Sequence, residues 1–156
     1  MQSNLDQILA SKSHLAPTAL RIALGSVFAA HAYAKAFLFT FAGTAAFFAA
    51  NGFPGWTAYP VFAAELLGGL ALIVGYRTRV ASLALIPIML GALVPHISHG
   101  WMFTNAGGGW EYVAFLLVAL GAQALLGSGA YAVDGLAHAP SRTHSPIATE
   151  RSVRAA

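Results

Sequence analysis

Four long apolar runs take up most of the chain, from about Pro17 to Phe39, Thr57 to Gly75, Val80 to Ile97 and Tyr112 to Leu126, with short glycine-rich or polar stretches between them. Each approaches the roughly 20 residues that a helix needs to cross a hydrocarbon core of about 30 Å. The pattern predicts an all-α fold: a polytopic membrane protein built as a four-transmembrane-helix bundle. Pro87 and Pro95 fall inside the third run. Each removes an amide donor and frees the carbonyl four residues back, on Leu83 and Gly91, so a kinked helix is expected there. Gly25 with Ala29, Ala64 with Gly68 and Ala71 with Gly75 are spaced four apart, which puts each pair on one face where helix backbones approach closely in lipid. Between the first two runs, Phe37, Phe39, Phe41, Phe47 and Phe48 precede Asn51-Gly52-Phe53-Pro54-Gly55. This reads as an aromatic loop in the outer interface before a tight turn, either packed over the bundle mouth or closing on a lipophilic ligand.

Composition agrees with the pattern. A chain of 156 residues that is 58% hydrophobic and 8% charged has more apolar surface than one small soluble core can bury, so lipid must cover the rest. The net charge of +3 comes mainly from the ends and one short loop, which indicates membrane orientation and not a nucleic-acid footprint. Cysteine is absent, which excludes disulfides, thiolate metal sites, covalent c-type haem attachment and a thiol redox relay. Electron transfer would need a partner or a bound cofactor.

Four spans put both termini and the second loop on one side, together with Lys12, Arg77, Arg79, Arg142, Arg151 and Arg154. By the positive-inside rule that side is cytoplasmic. Trp56, Trp101 and Trp110, with Tyr59 and Tyr112, fall at the opposite interface. The expected organisation is a short cytoplasmic segment at 1–16, a transmembrane domain at 17–134 and a cytoplasmic tail at 135–156. From His138 onward the composition suggests disorder. A rival reading takes Arg21, the apolar stretch Ile22 to Ala30, and Ala30-His31-Ala32 as a secretory signal with its cleavage site. The residues that follow form no soluble domain, and removing the first span would separate the basic second loop from the basic tail.

Ionisable residues inside or at the ends of the runs are the functional candidates, because a charge in hydrocarbon costs several kcal/mol and usually faces a bundle interior, a partner or water. They are Arg21, His31, Lys35, Glu65, His96, His99 and Glu111. At about 1.5 Å per residue, His31 and Glu65 reach similar depths, with Lys35 one turn further out on the face of His31. Glu65, flanked by Ala63, Ala64, Leu66 and Leu67, needs a partner or a proton: a structural ion pair and a ligand or proton role both answer that need. Lys35 and Glu111 could also rest among headgroups. His96 and His99 are three apart, a spacing compatible with metal or haem ligation but more often used for hydrogen bonding, so no metal site is assigned.

The segments GSVFAAHAYAKAF (Gly25 to Phe37), NGFP (Asn51 to Pro54), FAAELLGGLALIVGYRTRVASLALIPIMLGA (Phe62 to Ala92) and GWEY (Gly109 to Tyr112) resemble the DoxX family of small four-helix bacterial and archaeal membrane proteins. The likeness covers about Pro17 to Asp134. Its most specific element is Glu65, Gly68, Gly69, Gly75, Arg77 and Arg79, supported by His31 and Lys35; His31-Ala32 stands where such proteins commonly have His-Gly. The resemblance implies association with membrane redox systems, including thiosulfate to quinone electron transfer and oxidant-defence complexes. The expected function is therefore a membrane redox component that binds a quinone or other lipophilic molecule. His31, Lys35 and Glu65 are its catalytic candidates, while Arg21, His96, His99 and Glu111 are cofactor-binding candidates. Lipid and other redox subunits are the expected partners. A non-catalytic accessory or assembly subunit, or a small-solute carrier, is the competing class.

Overall fold

The computed structural model describes residues 12–137. The N-terminal segment before Lys12 and the tail from His138, expected to be disordered, lie outside the described residues. Among the described residues the chain is helical with no strand. Helix α1 (Leu15–Tyr33) continues through a wide π turn (Ala34–Leu38) into α2 (Thr40–Ala50). A 3₁₀ turn at Gly55–Thr57 leads into α3 (Ala58–Val74), and α4 (Thr78–His96) ends in a second 3₁₀ turn at Ile97–His99. Helix α5 (Glu111–Leu126) and the short α6 (Val133–Ala137) complete the order.

Three helical stretches are long and apolar enough to cross a membrane: Leu15–Leu38, Gly55–Val74 and Thr78–His99. Helices α2 and α5 are apolar but shorter. Leu67, Phe115, Val118 and Leu125 all point outward and exposed, an arrangement that suits lipid and would be costly in water. Leu24 and Phe28 from α1, Leu72 from α3, Leu85 and Met89 from α4, and Leu116 and Leu120 from α5 form the interior.

The closest helix approach is between α1 and α3. A methyl group on Gly25 would lie 2.6 Å from the Gly69 carbonyl oxygen, and one on Gly69 would lie 2.9 Å from the Ala29 amide nitrogen. Lipid provides little hydrophobic drive for helices to associate, so van der Waals contact at such small-residue crossings holds them together. The sequence pairing of Gly25 with Ala29 marks this face on α1; on α3 the residue at the crossing is Gly69, next to the Gly68 of the spacing pattern.

The aromatic stretch expected to be a loop is helix α2. Its sequence, TFAGTAAFFAA, is rich in alanine and free of proline, and that propensity prevails over the loop reading suggested by its clustered phenylalanines. Helix α4 runs through Pro87 and Pro95 without interruption. At the opposite end of the bundle, Gly75 closes α3 with φ 74°, while the Tyr76 amide bonds back to the Ala71 carbonyl at 2.9 Å, a Schellman C-cap. The Asp134 carboxylate then accepts from the Arg77 amide at 2.8 Å and the Thr78 amide at 3.3 Å, capping the start of α4.

Candidate functional site

The first helix carries His31 and Lys35, and the third carries Glu65. Lys35 lies in the π turn, where the Phe39 amide reaches back five residues to the Ala34 carbonyl at 2.9 Å. Thr40 follows with φ 61°, so the chain turns sharply and α2 starts in a new direction. Thr44, the buried residue of α2, donates its hydroxyl to the Lys35 carbonyl at 3.1 Å. Wide turns of this kind often mark functional positions in helices.

From this turn the Lys35 ammonium donates to both carboxylate oxygens of Glu65, at 2.9 Å to Oε1 and 2.6 Å to Oε2. The side chains are 17% and 3% exposed respectively, so the pair is largely withdrawn from solvent. Glu65 was expected to meet the cations of the first helix, His31 at its own depth and Lys35 one turn beyond. Its observed partner is Lys35, because the long lysine stem reaches back from the next turn, whereas the His31 side chain is exposed toward the neighbouring cavity.

That cavity, of about 810 Å³, lies between the helices and is walled mainly by apolar side chains. His31, Lys35 and Glu65 form one polar side, and Asn51, Thr57, His96 and Tyr112 add further polar groups. Phe47 and Phe48 of α2 cover part of it, with Phe53 and Phe103 from the adjoining loops. Pro87, Gly91 and Pro95 also line it; spaced four apart, they share one face of α4. Pro95 has no amide to offer the Gly91 carbonyl, and Gly91 adds no side chain. The wall is therefore both recessed and short of internal hydrogen bonds. A large apolar pocket with a few convergent polar groups is the usual form of a small-molecule site.

The seven sequence candidates separate. His31, Lys35, Glu65 and His96 line the cavity; Arg21, His99 and Glu111 do not. His96 Nδ1 is 2.9 Å from the Gly108 carbonyl oxygen, which ties the cavity wall to the loop between α4 and α5. The His99 ring packs against Gly107, and its carbonyl accepts from Asn105 Nδ2 at 2.8 Å. Glu111 accepts the Phe103 amide at 2.9 Å, so it folds the same loop from the N-terminus of α5.

Arg21, expected to hold a cofactor, instead serves the other end of the bundle. It is 1% exposed and donates to the carbonyls of Leu72, Ile73, Ser128, Ala130 and Tyr131. These contacts use all five guanidinium N–H groups; two serve carbonyls in the last turn of α3 and three serve the 128–131 segment after α5, tying the two together. Among the described residues, no group of three histidine, aspartate or glutamate side chains fit to hold a metal ion comes together.

Sequence reasoning did not assign Thr44, Asn51, Thr57 or Asp134 to the site or its support. Asn51 and Thr57 are also held locally, through the carbonyls of Phe47 and Pro54 at 2.8 and 2.6 Å. The Asn-Gly turn was the signal that placed Asn51 at the mouth of the bundle.

An all-helical bundle with an ion pair in the wall of an apolar cavity defines a class of membrane-helix proteins, and comparison makes the family specific. The DoxX family model matches residues 16–100. The chain is 30% identical over 115 residues to the "Putative oxidoreductase CatD" of Bacillus subtilis (strain 168), a match covering 74% of this chain and 81% of that protein. This chain belongs to the DoxX family. Arg21, His31, Lys35, Glu65, His96 and His99 fall inside the family match, whereas Glu111 and Asp134 lie beyond it. No solved structure matches the chain.

Proposed function

We propose that this protein is an integral component of a membrane redox system, and that its cavity binds a quinone or a similar lipophilic molecule. In this reading four helices cross the cytoplasmic membrane of a bacterium or archaeon with both termini inside, α5 being the fourth span. The observation that carries the proposal is the Lys35–Glu65 pair, with side chains 17% and 3% exposed, in the wall of the cavity of about 810 Å³. Charges in such surroundings cost several kcal/mol unless they are paired or serve a ligand. The name of the Bacillus relative supports the redox part.

His31 and the remaining N–H of Lys35 would donate hydrogen bonds to a ligand carbonyl. Glu65 would exchange protons with the ligand, and His96 would relay them from the loop side to the ligand on reduction and back again on oxidation. Reduction of a quinone to its quinol takes up two electrons and two protons; a partner reductant supplies the electrons. Arg21, His99 and Glu111 hold helix ends and loop in place.

The test is direct binding of 1,4-naphthoquinone to the purified chain in lipid nanodiscs, with protein-free nanodiscs as the blank. Saturable binding that weakens about tenfold or more in Glu65→Gln is the expected result. Uptake no greater than the blank overturns the reading. Turnover with an added electron donor separates an oxidoreductase from an accessory subunit.

A further inference from the structure

The two full charges in the cavity wall belong to one pair. We infer that this cancellation makes the cavity selective for uncharged ligands, with Glu65 as the residue that turns anions away. The inference rests on the reading of this cavity as a ligand site and adds the chemical class of its occupant.

Of the side chains lining the cavity, Lys35 and Glu65 are the ones joined as an ion pair. His31 and His96 are the titratable groups beside them. Arg21 and Glu111 are committed elsewhere, to backbone carbonyls and to the Phe103 amide. Both carboxylate oxygens of Glu65 are held by the one ammonium, at 2.9 and 2.6 Å.

An anion in this space lies against the Glu65 carboxylate and competes with it for the one ammonium; to gain a full counter-charge it must draw Lys35 away from Glu65. The carboxylate, 3% exposed at its side chain, would then be left without its counter-charge in a medium of low dielectric constant. A cation would strand the ammonium by the converse route. An uncharged molecule avoids both costs. Lysine has three N–H donors and two point at Glu65, so one remains for a carbonyl or hydroxyl oxygen. The cavity volume of about 810 Å³ admits one or two fused rings with substituents, within the usual range for small ligands.

Three naphthalene probes of nearly one size test the inference: 2-naphthamide, 2-naphthoate and 2-naphthylmethylammonium, each titrated by scintillation proximity against the full chain in nanodiscs. Wild-type protein is expected to bind the amide about tenfold or more tighter than either ion. Glu65→Gln leaves Lys35 unpaired and should invert the order toward naphthoate. Lys35→Met leaves Glu65 unpaired and should favour the ammonium; it carries the test from the opposite side if the glutamine variant does not accumulate. Equal binding of amide and naphthoate to wild type overturns the inference, as does an unchanged order in both variants. Failure of the quinone reading is a separate result: naphthoquinone does not bind, while the order of the three probes still inverts.

Discussion

The hydroxyl of Thr44 donates to the main-chain carbonyl of Lys35 across 3.1 Å, so the helix that carries Phe47 and Phe48 over the cavity is pinned to the residue whose ammonium holds Glu65. One hydrogen bond thus joins the cover of the cavity to its charged wall. Its net worth is about 1 kcal/mol, and more where an acceptor is left buried without a partner.

Replacing Thr44 by valine should loosen this junction while keeping side-chain size. The expected effect is a several-fold loss of naphthoquinone affinity, with the hydroxyl restored and affinity recovered in Thr44→Ser. Binding isotherms for the three proteins check it. A serine variant as weak as the valine variant would assign the effect to packing and not to the hydrogen bond.

The Lys35–Glu65 pair should appear in a double-mutant cycle. Removing one member of a buried pair costs about 3–5 kcal/mol because the other charge is stranded, whereas removing both is much less harmful. Thermal melting of Glu65→Gln, Lys35→Met and the double variant in detergent should therefore show each single change to be worse than the combination. The corresponding cycle with His31→Gln should be close to additive, since Glu65 bonds to Lys35. Additivity in both cycles would mean that the ion pair does not form in the membrane.

The glycines separate by position. A methyl group at Gly25 would press within 2.6 Å of the Gly69 carbonyl oxygen, while one at Gly121 meets nothing within 4 Å. Gly25→Ala should destabilise by about 1–3 kcal/mol through forced helix separation, and Gly121→Ala should be neutral or mildly stabilising because alanine favours the helix. Melting temperatures in one detergent decide it. Equal effects at the two positions would remove the α1–α3 crossing as a stability determinant.

The ionisable residues inside apolar runs were legible because their cost in lipid depends on composition alone, and four of the seven indeed line one cavity. On α4 the sequence marked Pro87 and Pro95 and the carbonyls they free, but not that Pro87, Gly91 and Pro95 form a recessed wall of the cavity. The sequence left two partners for Glu65, His31 at its depth and Lys35 one turn beyond; the choice between them was not legible, because a π turn has no strong sequence signature. Here the Lys35 carbonyl is met by Thr44, nine residues on. Asp134 caps α4 from 57 residues beyond Arg77, and no local pattern announces a cap supplied from such a distance. Arg21 resembled a ligand-binding cation for a related reason. Its five acceptors are backbone carbonyls, which carry no residue identity.

The orientation of the bundle can be tested with single cysteines, because the chain has none of its own. Arg77 lies in the turn between α3 and α4 and Arg79 in the first turn of α4, while the three tryptophans lie toward the opposite ends of the helices; in the proposed orientation, drawn from the positive-inside rule, that turn is cytoplasmic. Tyr76 in this turn is 49% exposed, and Thr104 in the loop between α4 and α5 is exposed as well. Thr78 is fully buried and would label poorly from either side, so Tyr76 is the better probe of the same turn. In intact cells an impermeant maleimide should label Thr104→Cys and spare Tyr76→Cys. Permeabilising the membrane should make both reactive. Labelling of Tyr76→Cys in intact cells, with Thr104→Cys protected until permeabilisation, would invert the orientation and place the cavity's aromatic cover on the cytoplasmic side.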